Sequence, residues 1–336
     1  MSNRKKVSIK SVAAEAGVTL KTVYRVVNNE TSVAEGTRAK IENLLRAKGY
    51  RLPYSKRRVC VVVLDVADND FMREIAVRVQ RDLTIDSVKC YFVDHANDSQ
   101  NFFASVADAD VVVFCSFPDE ALIAAARKAC PDGMLINLFG GASAADVSID
   151  ADDTAGGVLA ARHLFANGHR RHVAVATTAL QPNPVDRMKS FCAEMKLLAP
   201  DCKIEVIDFP GFGYTINDTW DKYLSETPQG QLPSAIFCTI GAIAERFPVY
   251  LERRTKLTCP NDIGLLSYDD LAYLIPTDAI VFDKMHGAYW IRHLVDNPPD
   301  RIKEHPIHML IAPRLITQGS VKKIGSPPIL MDEFWA

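Results

Sequence analysis

Short β-branched runs alternate with amphipathic stretches over most of this chain, and this alternation restricts the fold more than any other feature. The runs begin at Val59 and recur as VCVVVLDV, CYFVDH, DVVVFCS, GMLINLF, HVAVATT, KIEVIDF, SAIFCTI and DIGLLSY. Runs of this length, with little polar alternation, are typical of parallel strands that are buried on both faces and joined by crossover helices. The sequence from Val59 onward therefore predicts an α/β body.

The first 50 residues have the periodicity of helices instead. The pattern predicts one helix capped by Ser8, a second capped by Thr19, and a third that begins after Thr37 and ends at Gly49. Apolar residues at helical spacing mark the inward faces: Ile9, Val12, Ala13, Ala16, Val23, Val26, Val27, Ile41, Leu44 and Leu45. Three such faces can enclose one small core.

The outer face of the second helix is polar. Lys21, Arg25 and Asn28 point almost directly away from its valines. The predicted order of elements is that of a helix-turn-helix domain, which reads the DNA major groove: a helix, a tight glycine turn, a helix with a polar outer face and a supporting helix. An ordinary helical hairpin with a solvated outer face is the alternative.

Charge distribution favours the DNA-binding interpretation. Residues 1–58 contain 14 Lys or Arg against 4 Asp or Glu, whereas the whole chain contains 39 against 41. A basic head on an acidic body is expected of a phosphate-binding domain, because neutralising phosphates releases counterions.

Other classes of protein find little support in the sequence. No apolar run is long enough to span a membrane, and the start MSNRKK leads into a helix, so we expect a cytoplasmic protein without a membrane partner. The cysteines lack C-x-x-C spacing, and HRRH and HPIH lack a partner ligand nearby, so we expect neither a metal nor a cofactor. Nucleophile elbows, phosphate loops and zinc pairs are also missing, and we therefore predict no enzyme and no catalytic residue.

Three segments resemble the lactose-repressor (LacI/GalR) family of bacterial transcription regulators. The first is VSIKSVAAEAGVTLKTVYRVVNN with TRAKIENLLRAKGY. The second, DDTAGGVLAARHLFANGHRRHVAV (152–175), is similar to the family's Asp-Asn-x-x-Gly segment, and the third, CPNDIGLLSYDD (259–270), to its Pro-x-Asp-strand-Asp-Asp stretch. The resemblance runs almost from end to end.

This resemblance implies a fold and a domain organisation. A three-helix head over residues 1–50 is followed by a basic linker over 51–58 and a body over 59–336. The body would have two doubly wound lobes of parallel sheet, like those of periplasmic sugar-binding proteins, joined by three crossovers. Lobe 1 would comprise 59–150 with 283–308, and lobe 2 would comprise 151–282 with 309–336.

The resemblance also implies a function. The family consists of regulators that bind double-stranded, often palindromic operator DNA as homodimers. For this chain it favours a repressor that responds to a small polar ligand such as a sugar, a sugar phosphate or a related metabolite. The alternative is a DNA-binding regulator whose body is a dimerisation scaffold without a small-molecule effector.

The DNA-binding residues implied by the resemblance lie in and beside the second helix. The family's base-reading positions fall on Leu20, Lys21 and Arg25, although Leu20 could equally flank the head core. Thr19, Thr22 and Asn28 match positions that hold phosphates, which set the register on DNA without reading its sequence.

The implied effector-binding residues are Phe71, Arg187, Tyr214 and Asp269. An arginine, a facing carboxylate and flanking aromatics suit a small polar ligand in a cleft between the lobes. The alternatives are that Phe71 and Tyr214 are core aromatics and that Asp269 is a helix cap.

Two features depart from the family pattern. Ile240-Gly241 stands where the family has Asn-Asp, which removes one polar clamp from the expected ligand site. The linker is also short and carries Pro53, so we expect no hinge helix and little bending of the DNA.

Overall fold

The computed structural model describes most of the chain. The described residues are 9–28, 30, 32–48, 50, 58–63, 70–84, 89–94, 99–107, 109–115, 118–141, 144–269, 271, 276–299 and 301–324. The chain divides into two compact units, an N-terminal head up to Arg57 together with Ser87–Lys89, and a body that comprises the remainder from Arg58.

The head contains α1 (Ile9–Ala16), α2 (Leu20–Val27) and α3 (Glu35–Ala47). Its core consists of apolar side chains that the helical spacing predicted: Val12, Ala13, Ala16, Val23, Val26, Val27, Ile41 and Leu45. The predicted start of α3 after Thr37 was wrong, because the Ala34 carbonyl already accepts the N–H of Arg38 (2.9 Å) and opens the helix at Glu35. The predicted cap Ser8 lies outside the described residues.

The turn between α1 and α2 depends on Gly17. Its φ of 69° is in the left-handed region, which glycine adopts without strain. In this conformation the N–H of Val18 donates to the Ala13 carbonyl (3.0 Å) and the N–H of Gly17 to that of Ala14 (3.2 Å), which closes α1.

The body contains two six-stranded sheets. The first has the order β11-β5-β4-β3-β1-β2, and the second has the order β12-β10-β9-β8-β6-β7. The strands are β1 (Arg58–Val63), β2 (Lys89–Asp94), β3 (Val111–Cys115), β4 (Met134–Leu138), β5 (Val147–Ala151), β6 (His172–Thr177), β7 (Lys203–Asp208), β8 (Ala235–Cys238), β9 (Gly264–Tyr268), β10 (Asp278–Val281), β11 (Ile307–Ile311) and β12 (Arg314–Ile316). The described pairings are parallel except that of β10 with β12.

Helices cover both faces of each sheet. They are α4 (Asp70–Thr84), α5 (Ser99–Ala107), α6 (Glu120–Ala129), α7 (Asp153–Ala166), α8 (Pro182–Leu198), α9 (Tyr214–Glu226), α10 (Gly241–Thr255) and α11 (Lys284–Asp296). The buried apolar clusters show which helices share a face. In the first sheet α5 and α6 pack on one face. In the second sheet α9 and α10 pack on one face, and α7 and α8 pack on the opposite face. The predicted doubly wound α/β fold with a helix-turn-helix head is confirmed.

Two adjacent glycines let α7 approach its neighbours closely. A Cβ atom on Gly156 would lie 2.6 Å from the ring of Tyr268, and one on Gly157 would lie 2.3 Å from the Arg187 carbonyl oxygen. Neither distance is tolerated, so both positions require glycine as the helices stand. This close packing brings the first turn of α7 to the first half of α8.

The buried carboxylate of Asp278, at the start of β10, binds the backbone of residues 318–320 to the second sheet. Its Oδ1 accepts the backbone N–H groups of Gln318 (2.6 Å), Gly319 (2.6 Å) and Ser320 (3.1 Å), while Oδ2 contacts His163 Nε2 (2.8 Å). Burial alone would raise the pKa of Asp278, but His163 and the N–H groups of Gln318 and Gly319 outweigh it and lower that pKa.

Membrane-spanning helices and metal sites are both absent from the residues that the structure describes. Among these residues, no helix has both the length and the apolar character needed to cross a membrane. Nor does any group of three or more His, Cys, Asp or Glu side chains within them have the geometry of a metal site.

Candidate functional site

The N-terminus of α2 is fixed by Thr19. Its Oγ1 accepts the N–H of Thr22 (3.3 Å), and the two threonine hydroxyls lie 2.9 Å apart. This cap satisfies a backbone donor that the first turn of a helix otherwise leaves unpaired. Both threonines therefore lie at the helix end that carries a positive partial charge, where phosphates bind.

The exposed face of α2 carries Lys21, Tyr24, Arg25 and Asn28. Lys21 and Asn28 are exposed, Arg25 is partly exposed, and the valines of the same helix are buried, as the periodicity predicted. Tyr24 is 48% exposed and lies on this face with the two basic residues and Asn28, a position that was not predicted from the sequence. The spacing of Tyr24 from Lys21 and Asn28, three and four residues, was the available signal.

Two residues near this face have contacts within the head. Arg25 Nε lies 3.6 Å from Glu30 Oε2, in an ion pair that is exposed on both sides. Leu20 is partly buried against the head core, as in the alternative role that we predicted for it.

The second group of predicted residues surrounds Arg187 in α8. Arg187 Nε donates to Asp153 Oδ1 (2.7 Å), and one terminal nitrogen donates to the Thr239 carbonyl (2.8 Å). Its guanidinium carbon lies 3.5 Å from the centre of the Tyr268 ring, within range of a cation–π interaction. Burial alone would lower the pKa of Arg187, but Tyr268, Asp153 and Asp269 outweigh it and raise that pKa.

Asp153 is held from a second side. Asn183 Nδ2 donates to Asp153 Oδ2 (2.7 Å), so each carboxylate oxygen has its own donor from α8. Asp153 begins α7 directly after its cap, Asp152, whose Oδ1 accepts the N–H of Ala155 (2.9 Å). Asp153, Asn183 and Tyr268 could not be assigned to the site from the sequence, because their proximity to Arg187 depends on the packing of α7, α8 and β9.

Asp269 follows β9 and faces the start of α10. Its Oδ2 accepts the N–H of Gly241 (3.2 Å), which is the contact of a helix cap. A side chain at position 241 would place a Cβ only 3.1 Å from that of Asp269, so the glycine permits the close approach. Burial raises the pKa of Asp269, although Arg187 and the Gly241 N–H act in the opposite direction.

The backbone of Asp269 is itself unusual. Its φ is 94°, a conformation that costs a residue other than glycine of the order of 1–3 kcal/mol and is typically found at functional sites. Thr239 and Asp269 immediately follow β8 and β9, so the group lies at the carboxyl ends of parallel strands, where ligands of α/β proteins bind.

Of the two predicted aromatics, Tyr214 is not brought into this group. Tyr214 begins α9 and is 87% exposed, and the described residues show no hydrogen bond or ring contact between it and Arg187 or Asp269. Phe71 belongs to the first turn of α4, but its side chain lies outside the described residues. The linker residues 51–57, including Pro53, lie outside them as well, so the expected absence of a hinge helix remains a prediction.

A second polar group lies in the first sheet. Asp150 in β5 accepts the N–H of Gly141 (2.8 Å) and contacts His308 Nε2 of β11 (3.0 Å). Asn137 Nδ2 donates to the Gly141 carbonyl (2.9 Å), whereas Asn137 Oδ1 is buried without a partner among the described residues. Burial raises the pKa of Asp150, opposed by Gly141 and His308.

Two family models match the chain. Residues 8–52 match the model for bacterial regulatory proteins of the lacI family, and residues 161–321 match the model for a periplasmic binding protein-like domain. The first match covers α1 to α3, and the second covers the last six residues of α7 and all of the second sheet.

Curated relatives and solved structures extend the match over almost the whole chain. The HTH-type transcriptional repressor PurR of Aliivibrio fischeri (strain MJ11) is 24% identical, over 94% of this chain and 98% of that protein. The lac repressor dimer bound to operator and the anti-inducer ONPF has a TM-score of 0.65 at 19% identity, over 95% of this chain and all of that one. A complex of the transcriptional regulator CelR with cellobiose has a TM-score of 0.61 at 19% identity, over 94% and 100%.

These proteins are regulators of transcription and not enzymes. The helix-turn-helix head, the two six-stranded sheets and the two family models place this chain in the lacI family of bacterial regulatory proteins, as its sequence resemblance indicated.

Proposed function

We propose that this chain represses transcription by binding operator DNA as a homodimer, through the exposed face of α2. One observation carries the proposal: Lys21 and Arg25 both lie on the outer face of α2, whereas the valines of its inner face are buried. The 14 basic residues of the first 58 support the same interpretation, and so do the relatives, which are named as repressors.

In this mechanism the residues of α2 have separate tasks. Lys21 and Arg25 donate hydrogen bonds to base edges in the major groove, where guanine presents two acceptors. Thr19, Thr22 and Asn28 bind phosphates at the two ends of the helix and fix its register. The exposed pair of Arg25 with Glu30 opens when Arg25 turns to the DNA, which costs little because exposed ion pairs are weak.

The test is selection of DNA from a random duplex library by the purified full chain, followed by fluorescence anisotropy with the selected site and with random duplex. We expect a palindromic selected site, bound about 10³-fold or more tightly than random DNA. We also expect affinity for both duplexes to fall steeply with salt. Failure to enrich any sequence would contradict the proposal.

We infer in addition that the body binds a small polar ligand beside Arg187 and Asp269. A buried arginine, two carboxylates and a strained backbone at the carboxyl ends of β8 and β9 support this site. The solved complexes of the lac repressor and CelR, which contain an anti-inducer and cellobiose, support a ligand of this general kind.

The alternative function is a regulator whose body serves only for dimerisation. One observation favours it: Arg187 and Asp269 already have hydrogen-bond partners within the protein. A thermal-shift screen of sugars, sugar phosphates, polyols and nucleobases separates the two, since a ligand that binds only the folded state raises its stability. A hit whose effect disappears in Asp269→Ala supports the ligand site, and a screen without hits supports the scaffold.

A further inference from the structure

We propose that Asp153 determines the charge of the ligand: by neutralising Arg187 it makes the site reject anions and select a ligand that is uncharged or cationic and rich in hydrogen-bond donors. This inference rests on the proposed ligand-binding function, and it narrows that function by excluding sugar phosphates and other anions.

The charge of Arg187 is already engaged. Asp153 contacts its Nε at 2.7 Å, the Thr239 carbonyl accepts from a terminal nitrogen, and the Tyr268 ring lies against the guanidinium plane. Both members of the ion pair are about nine-tenths buried. An anion that bound Arg187 would have to displace a carboxylate whose other oxygen is held by Asn183.

The remaining charges near this pair are predominantly acidic. Asp269 and Asp150 are both close enough to Asp153 for the carboxylates to interact electrostatically. Lys284, which also acts on Asp269, donates to Glu74 of α4 (2.5 Å). With Arg187 neutralised by Asp153, the surroundings therefore repel a phosphate or carboxylate and attract an ammonium group.

An unpaired acceptor indicates the same kind of ligand. Asn183 donates its amide nitrogen to Asp153, which fixes the orientation of the amide because a carboxylate cannot donate. Its Oδ1 is then an acceptor, and it is buried without a partner among the described residues. A hydroxyl or ammonium group satisfies such an atom, whereas an ionised phosphate oxygen does not.

The carboxylate of Asp153 departs from the motif that this part of the sequence resembles. In the segment that resembles Asp-Asn-x-x-Gly, this chain has Asp152-Asp153. An asparagine at position 153 could still accept a hydrogen bond from Arg187, but it would leave the charge of the guanidinium uncompensated. A single substitution, Asp153→Asn, therefore isolates the charge of the side chain from its shape.

The decisive experiment compares thermal unfolding of the full-length wild type, Asp153→Asn and Asp186→Asn in inorganic phosphate and in chloride of equal ionic strength. Asp186 is an exposed residue of the same helix as Arg187, so its variant measures the general effects of phosphate and of losing one negative charge. We expect phosphate to stabilise Asp153→Asn beyond both controls, with an apparent affinity about tenfold higher or more. Adding Arg187→Gln to Asp153→Asn should abolish this gain.

Equal phosphate responses in the three proteins, or a specific response in the wild type, would overturn the proposal. A second measurement covers a variant that fails to fold: the wild type is screened with glucose, glucosamine and glucose 6-phosphate, and with ribose and ribose 5-phosphate. Stabilisation by the phosphorylated members alone also overturns it. No stabilisation by any compound counts against ligand binding by the body, while the phosphate comparison still decides the role of Asp153.

Discussion

We expect substitutions of two side chains on α2, Arg25 and Thr22, to affect DNA binding in different ways. Arg25→Ala should lower the ratio of operator to random affinity by the equivalent of about 1–3 kcal/mol, because a base contact is lost. Thr22→Ala should weaken binding to both duplexes by a similar factor, because a phosphate contact carries no sequence information. Anisotropy titrations on both duplexes measure the ratio.

Lys10→Ala is a suitable control for this comparison, since Lys10 is an exposed basic residue of α1 and not of α2. It removes the same charge as Arg25→Ala and should leave the ratio unchanged. An unchanged ratio for Arg25→Ala itself would remove Arg25 from the base-reading set.

Asp278 allows a prediction about stability and pH. Asp278→Asn should lower the free energy of unfolding by about 2–4 kcal/mol at neutral pH, because an amide cannot match a buried carboxylate that accepts from three backbone N–H groups. The pKa of Asp278 is lower in the folded chain than the roughly 3.9 of an unfolded one. The ionised carboxylate therefore stabilises the fold above about pH 4, and this contribution is lost as the pH falls through the folded-state pKa.

Urea unfolding of wild type and Asp278→Asn between pH 3 and pH 7 measures this difference. The gap between the two proteins should be widest near neutral pH and should narrow in acid. A gap that widened as the pH fell would show that the carboxylate is not the stabilising form.

Resemblance located Arg187 and Asp269 in the sequence, but it did not predict what they contact. The partner Asp153 is 34 residues from Arg187, and only the packing of two helices against β9 brings them together. The exposed position of Tyr214 was equally unpredictable, because an aromatic residue at the start of a helix is compatible with either a buried or an exposed ring.

At the scale of elements, the pair of α7 and α8 depends on Gly157. Gly157→Ala should lower the free energy of unfolding by about 1–3 kcal/mol, since its Cβ would lie 2.1 Å from Ser190 Oγ and 2.3 Å from the Arg187 carbonyl. The shift of α8 should also weaken any ligand response that requires Arg187. Chemical unfolding and the thermal-shift assay measure the two effects.

Gly230→Ala is the matched control. Gly230 lies in a short 3₁₀ helix of the same lobe, and a Cβ there would meet nothing within 4 Å. The free energy of unfolding of Gly230→Ala should therefore differ from that of the wild type by less than about 1 kcal/mol. Equal losses for the two variants would mean that the close approach of α7 and α8 is not the cause.

The strands differ in how well the sequence predicted them. The strands β1, β3, β4, β6, β8 and β9 are buried along nearly their whole length, and they were predicted because their runs are almost entirely apolar. The edge strands β2 and β7 were predicted as well, although their runs also contain polar residues. The remaining strands, β5, β10, β11 and β12, were not predicted, because they are short or contain polar residues such as Asp150 and His308. An edge strand such as β11 pairs on one side only, so its sequence carries a weaker pattern.

At the scale of the whole molecule, the length of the linker bears on how the protein treats its DNA. The strand β1 begins at Arg58, so seven residues follow Tyr50, and they can span at most about 25 Å. With Pro53 among them, little chain remains for a hinge helix that would wedge a side chain into the minor groove. We therefore predict that the bound operator is nearly straight.

Circularly permuted operator fragments on gels test this prediction. Mobility should depend only weakly on the position of the site in the fragment. Strong dependence, as for a sharply kinked site, would mean that the linker inserts a wedge despite its length.

The strand order of the body also governs when the protein can fold during its synthesis. Residues 307–311 complete one sheet as β11, residues 314–316 complete the other as β12, and the buried Asp278 lacks three of its donors until residues 318–320 have been made. Neither lobe can therefore mature early on the ribosome, although the three-helix head is complete after about 50 residues. A nascent chain should emerge with a folded basic head and an unfinished α/β body, which makes the body the part that depends on chaperones.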